Sequence, residues 1–379
     1  MRCRRSLFRR RSVVTDRASV ALPAPDVLVD VEVASDRAYR LSGTSVLVAL
    51  GVVVAVGLLS ATSGAAGLPV DDVVGAVLAR IPLVDIDSSL SARQESILFQ
   101  IRLPRMVLGM LVGASLGMAG AAYQGVFRNP LADPYLLGVS AGAGFGAVLA
   151  LGFGLDLGWG PFDALPTAAF VGSLLAVAAS AVIARGTASS PATLLLGGVA
   201  MAALFSAAQT YALQQLNETL AREVLSWLFG QLNTSGWRQV WILGPYVVVC
   251  GGVLFAHRRH LDVLRVGDDE ARALGLNPAR SRLVVIVAAS LVTAAAVSVS
   301  GLIAFVGLVV PHIIRLLVSH SYRVIVPLSA LAGAAFLAFV DVGARTLVAP
   351  SELPVGVITA LVGAPFFAFV LWRGNATTI

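Results

Sequence analysis

From Leu41 onward the chain is a ladder of apolar stretches, separated by short polar or Pro/Gly-rich breaks. The stretches run about 17 to 25 residues, the length an α-helix needs to cross a bilayer. A helix suits that medium because it satisfies its own backbone N–H and C=O groups where no water can. The expected spans lie near 43–62, 104–125, 134–153, 165–185, 193–216, 238–256, 283–299, 301–319, 324–345 and 355–373. The predicted fold is therefore all-α, a polytopic membrane protein with about ten transmembrane helices. Only the Ser300-Gly301 break divides the seventh span from the eighth.

Composition agrees with that class. Charged residues make up 13% of the chain, against about 25% in a soluble domain. All 27 basic residues are arginine, with no lysine. By itself the chain thus lacks the lysine of a phosphate-binding P-loop and the amine of a Schiff-base enzyme. Cys3 sits in a basic tail and Cys250 in an apolar run, so they form neither a disulfide framework nor a metal spacing.

The arginines mark topology. Residues 1–40 hold nine of them, beginning MRCRRSLFRRRS, with no apolar run close behind. This segment reads as a disordered, cytoplasmic basic tail near anionic lipid, not a secretory signal. With the N-terminus inside, the inner segments carry 20 arginines and the outer segments seven, counted along the sequence. That bias places both termini in the cytoplasm and explains the positive charge without nucleic acid.

Two soluble-looking segments interrupt the ladder. Residues 63–101 form an outer excursion, with a short surface helix expected after Pro69. The longest inner loop, 257–283, carries Asp268 to Leu274 at helical spacing, Gly275 as a stop signal and Pro278 just beyond.

Ionisable residues inside a membrane mark ion and proton pathways. Here almost none occur, which disfavours an ion-driven secondary transporter, the rival reading. Asp341 and Arg345 lie four apart on one helical face and are expected to pair. Gly109, Gly113, Gly117 and Ala121 recur every four residues, as do Gly138, Gly142 and Gly146, the spacing that lets helices approach closely. Pro130 and Pro134 break the chain between the second and third spans, and Pro311 interrupts the eighth. His312 beside it lacks sequence neighbours that would complete a metal site. The spans at 104–216 and 283–373 each number four, and the odd number of crossings between their starts makes them inverted repeats.

Six motifs in this order resemble the FecCD-type permeases of ATP-driven importers, which carry iron-siderophores, haem or vitamin B12. They are RLPR at Arg102 to Arg105, NPLADPYLLGVSAGAG from Asn129, LLLGGVA from Leu194, the ARALGLNPARSR loop, GLIAFVGLVVPHIIRL from Gly301, and ELPVGVITALVGAPFF from Glu352. The similarity covers about residues 45 to 373 and implies a type II ABC importer permease fold. It also implies a second permease subunit, two ATP-binding cassette subunits that use ATP and Mg, and an external solute-binding protein. This chain would bind no cofactor and no metal.

Carried over residue by residue, the resemblance assigns ATPase coupling to Asp268, Glu270, Arg272, Leu274, Gly275 and Leu276. Binding-protein docking falls to Arg102, Arg105 and Arg345. The inner gate maps to Asn129, Leu131 and the segment 190–193, where Pro191 and Ala192 depart from the small hydroxyl residues of vitamin B12-importing members. Met201, Phe205 and Gln209 fall on the pathway-lining helix. A ferric siderophore is the leading cargo, ahead of haem and vitamin B12.

Overall fold

The structure, a computed structural model, describes residues 41–64, 67–80, 89–155, 163–184, 191–232 and 236–375, with the side chains of Pro191, Leu371 and 373–375 set aside. The expected basic tail and Ser190 lie outside the described residues. Every regular element among the described residues is helical.

Helix α1 (Gly43–Thr62) begins at Ser42, whose hydroxyl accepts from Thr44 N, and opens the bundle. The outer excursion holds α2 (Val70–Leu78), which starts directly after Pro69 as expected. It also holds α3 (Ala92–Ser96), fixed by a capping box between Ser91 and Gln94. A stretch of wide π-turns, Ile97–Arg102, joins α3 to α4 (Leu103–Val126). Then come α5 (Val139–Gly152), α6 (Ala164–Ala184), α7 (Pro191–Gln214), the short amphipathic α8 (Glu218–Leu228) and α9 (Arg238–Val266). After the small α10 (Asp268–Ala273) follow α11 (Pro278–Ser300), α12 (Val306–Leu317), α13 (Tyr322–Thr346) and α14 (Val355–Asn375).

Among the described residues seven helices are long and apolar enough to cross a membrane, and three shorter apolar ones lie within α5, α12 and α14. The expected inner loop 257–283 is shorter than read from the sequence. Helix α9 continues to Val266 and α11 starts at Pro278. At 1.5 Å per residue α9 is about 44 Å long, more than hydrocarbon alone requires, so its polar last turns remain helical beyond the apolar run.

The two sets of four helices repeat a length pattern: long, short, long, long. The short α5 is preceded by Gly138 in the left-handed conformation (φ 81°), and the short α12 by Phe305 in the same conformation (φ 69°). Contacts repeat as well: α4 packs on α11, α4 on α13, and α11 on α6. The first helix of each set thus meets the third helix of the other, the arrangement that a two-fold relation between inverted repeats generates.

Close approach is achieved at glycines. A Cβ on Gly113 would stand 2.1 Å from the Gly333 carbonyl oxygen, and one on Gly117 2.2 Å from that of Ser329. These two positions let α4 and α13 touch backbone to backbone. Around this seam the core is filled by Tyr123, Leu116, Leu337 and Ile325, each almost fully buried.

Gly117→Val should therefore force the helices apart and cost at least about 1–3 kcal/mol. Gly51→Ala on α1, where nothing lies within 4 Å, should leave the melting temperature unchanged or raise it. Thermal unfolding of the full chain in detergent reads both, and equal melting of the two variants would contradict this packing.

Candidate functional site

The segment to which the resemblance assigns coupling is built by its caps. Gly267 and Gly275 take positive φ (155° and 80°) and bound α10, with Gly275 N donating to Arg272 O and Leu276 N to Ala271 O. Ala271 is buried, whereas Asp269, Glu270, Arg272 and Leu274 are exposed, Leu274 at 70%. Leu276 packs back against the main core. Six residues assigned together therefore separate by direction. Glu270, Arg272 and Leu274 face out, while Asp268 and Leu276 face the chain.

Asp268 is the fastening. Arg282 of α11 grips both its oxygens, at 2.7 and 2.5 Å, and Arg128 donates to Oδ1 as well. The hydrogen bond from Arg282 is the main reason its carboxyl is held down, at about 2. Arg128 stands at the end of α4 with a left-handed backbone (φ 51°) and also donates from Nε to Leu264 O at 2.5 Å. A non-glycine residue in that conformation is strained, and here both its partners hold it there. Neither Arg128 nor Arg282 is among the site residues the sequence assigns, because nothing local marks an arginine that pairs with Asp268 from 140 residues away, as Arg128 does, or from 14, as Arg282 does.

Arg128 leads directly into the irregular segment expected to form a gate. Asn129 Oδ1 accepts from Leu131 N at 2.9 Å, and Asp133 Oδ1 accepts from Tyr135 N at 2.8 Å, closing two side-chain turns. Leu131 is 43% exposed. The Tyr135 hydroxyl donates to Ile303 O at 3.0 Å and accepts from Ile303 N at 3.1 Å. The break before α5 is thereby tied to the break before α12. Pro191 and Ala192 open α7, and Ala192 is exposed.

On α7 the expected pathway residues divide. Phe205 meets Phe145 of α5 edge-on at 5.8 Å, and Gln209 lies against Gly144 of α5, where an added Cβ would come within 2.3 Å of its Oε1. Both face a neighbouring helix of the same chain, and Met201 is half-buried. The open stripe of α7 is instead Leu196, Val199, Leu204 and Tyr211, 58 to 70% exposed.

At the other end of α4 the three arginines that the resemblance assigns to binding-protein docking turn inward. Arg102 is 6% exposed and donates from Nη1 to Ala61 O and Thr62 O. Arg105 binds Asp341 at 2.8 Å and Glu352 at 2.9 Å. Arg345 pairs with Asp341 at 3.0 Å, as expected from their spacing, and with Ser60 Oγ at 2.9 Å. Asp341 is 1% exposed, so two guanidinium groups compensate one buried carboxylate. Among the described residues no group of three His, Cys, Asp or Glu could hold a metal.

The Asp268 clamp carries a signed pH dependence. A depressed carboxyl stabilises above its unfolded value of about 3.9 and loses that stabilisation as pH falls toward about 2. Hydrogen exchange of the α10 amides, corrected for intrinsic rate, should therefore be flat from pH 5 to 8. Asp268→Asn should raise it across that whole range; unaltered exchange in the variant would remove the clamp.

Residues 52–373 match the FecCD transport family. An uncharacterized ABC transporter permease protein of Bacillus subtilis, YvrB, is 42% identical over 280 residues, covering 73% of this chain and 79% of its own. The cobalamin import system permease protein BtuC of Halobacterium salinarum is 45% identical over 260 residues, covering 68% and 69%. An inward-facing structure of a metal-chelate type ABC transporter superposes with a TM-score of 0.75 at 30% identity, over 86% of this chain and 98% of that one. A family match across residues 52–373, with relatives at 42 and 45% identity, identifies this protein as a member of the FecCD transport family.

Proposed function

We propose that the chain is the permease subunit of an ATP-driven importer that moves a bulky metal chelate across the cytoplasmic membrane, a ferric siderophore before haem or a corrinoid. It performs no covalent chemistry. Its task is to convert a movement imposed at one face into opening and closing of a route through the bundle. The observation that carries this reading is the fastening of α10, which presents Glu270, Arg272 and Leu274 outward while Asp268 is bound to Arg128 at the edge of the gate segment. A push on α10 is delivered to that segment through one charge-assisted contact.

The partners follow from surfaces. Two ATP-binding cassette subunits, which use ATP and Mg, dock on the exposed face of α10. A second permease subunit, identical or paralogous, covers the apolar stripes of α7 and of α14, where Leu361 and Trp372 are 69 and 73% exposed. A solute-binding protein docks at the opposite end of α4, where Arg105 and the half-exposed Glu352 border a small polar pocket with Gln231. Arg102 and Arg345 act behind that rim by holding it in place. The α10 face is cytoplasmic, as are both termini.

An ion-driven carrier needs a carboxylate free to bind its ion within the spans. Asp341, the buried carboxylate of α13, is instead held by Arg105 and Arg345, which favours the ATP-driven reading.

Gently extracted chain should co-purify with an ATPase, and vesicles should accumulate chelate only when that ATPase and ATP are present. Arg272→Ala combined with Leu274→Asp should abolish cargo-dependent ATPase stimulation with the melting temperature unchanged, since both side chains are exposed. Accumulation by the chain alone, or undiminished stimulation in the double variant, defeats the proposal. Competition among a ferric siderophore, haem and cobalamin for uptake in the same vesicles separates the cargoes.

A further inference from the structure

We propose that the end of the bundle that carries α10 holds one anionic phospholipid, its acyl chain in the groove between α1, α4, α9 and α13 and its phosphate among Arg258, Arg259 and Arg323. The groove has a volume of about 420 Å³ and is lined by Leu41, Val46, Met118, Gly251, Phe255 and Leu328, among others. It opens sideways between helices of a membrane bundle, beside α1 residues Leu47 and Val48 that are 70 and 67% exposed. Hydrocarbon is the medium on that side, so an alkyl chain is the occupant that fits.

Charge at the groove's end specifies the headgroup. Phe255 lines the groove, and the Arg258 guanidinium lies over its ring at 3.5 Å. Arg258 donates from Nη1 to Phe255 O, and its buried Nε has no partner among the described residues. Arg259 and Arg323 are the charges near enough to repel Arg258. Arg323 stands one turn before Val326, which also lines the groove, and lies 3.5 Å from Asp262. That carboxylate is shared with Ser321 Oγ and Tyr322 N at the start of α13. Neither Arg258 nor Arg259 forms an ion pair among the described residues. The neighbouring side chains on α9, His257 and His260, stack edge-on at 5.0 Å and supply no negative charge.

Three guanidinium groups thus lie close together beside an apolar slot, and among the described residues Arg323 alone of them reaches a carboxylate, that of Asp262. The cluster requires an anion, and basic pockets between helices at a membrane face are where anionic headgroups bind.

Native mass spectrometry of the full chain in neutral detergent tests the site, with no cargo or ATPase present. Dioleoyl-phosphatidylglycerol should be retained about tenfold better than dioleoyl-phosphatidylcholine. Arg258→Gln with Arg259→Gln should bring that ratio close to one, and Arg258→Lys with Arg259→Lys should restore it with the same melting temperature. Ala114→Phe, which fills the groove, should weaken retention of both lipids. Inorganic phosphate should not displace the phosphatidylglycerol. Absence of a preference in the wild-type chain, a preference that survives the glutamine pair, or displacement by inorganic phosphate would each overturn the assignment.

Discussion

The structure depends on one requirement: where the backbone stops being helical within an apolar bundle, its N–H and C=O groups must find partners in protein. Among the described residues, 127–138 and 301–305 are such places, and they are placed against each other. A single hydroxyl, that of Tyr135, answers both the N–H and the C=O of Ile303. Left unpaired, a buried backbone group costs about 1–3 kcal/mol. The small residues of α4 make the meeting possible, since a Cβ on Gly120 would fall 1.9 Å from Gly307 O at the start of α12. The glycine seam is therefore more than general tight packing, because it brings two broken helices close enough to satisfy each other.

That arrangement also defines a mechanical route. Energetic coupling between distant sites is carried by contiguous packed or hydrogen-bonded elements. From the outward face of α10 the sequence of contacts runs through Asp268 to Arg128, along the turns made by Asn129 and Asp133, and through Tyr135 to Ile303 in the other repeat. The steps are hydrogen bonds with named partners, joined by the short stretches of chain between them, and the route crosses from one four-helix set to the other. Under the proposed function, a displacement of α10 thus reaches both repeats together.

Much of this was legible in the sequence. The apolar ladder placed the long helices within about five residues, because hydrocarbon thickness sets span length, except at the end of α9, which runs ten residues past the expected span. The caps of α10 were legible too, since Gly275 and Pro278 punctuate locally. The pairing of Asp341 with Arg345 followed from helical spacing. What escaped was everything set by tertiary direction. Phe205 and Gln209 belong to an apolar helix with little periodicity, so no pattern distinguished the side facing α5 from the open side. Arg128 counts in the sequence only as a topology marker and Arg282 only as that and as the end of the ARALGLNPARSR motif, although the clamp on Asp268 is theirs. Helix α8 carried a readable start, Asn217 accepting from Leu220 N before Glu218, but it lay in a connection read only as an outer segment.

Arg102, Arg105 and Arg345 all find partners within the chain. Helix α1 lies outside both repeats and is the least enclosed of the long apolar helices apart from α7 and α9. Its C-terminal carbonyls have no intrahelical donors and carry the negative end of the helix dipole. Arg102 donates to the carbonyls of Ala61 and Thr62, and Arg345 to those of Ser60 and Ser63. The same Arg345 shares Asp341 with Arg105, so one buried network fastens α1 to α4 and α13 at once. A guanidinium suits this task because its fixed fork serves a carboxylate and several carbonyls together, where an ammonium is a single point charge. A partner that presses on Arg105 and Glu352 from outside would meet a braced surface rather than three loose charges, and its force would pass directly into the helices that flank the glycine seam.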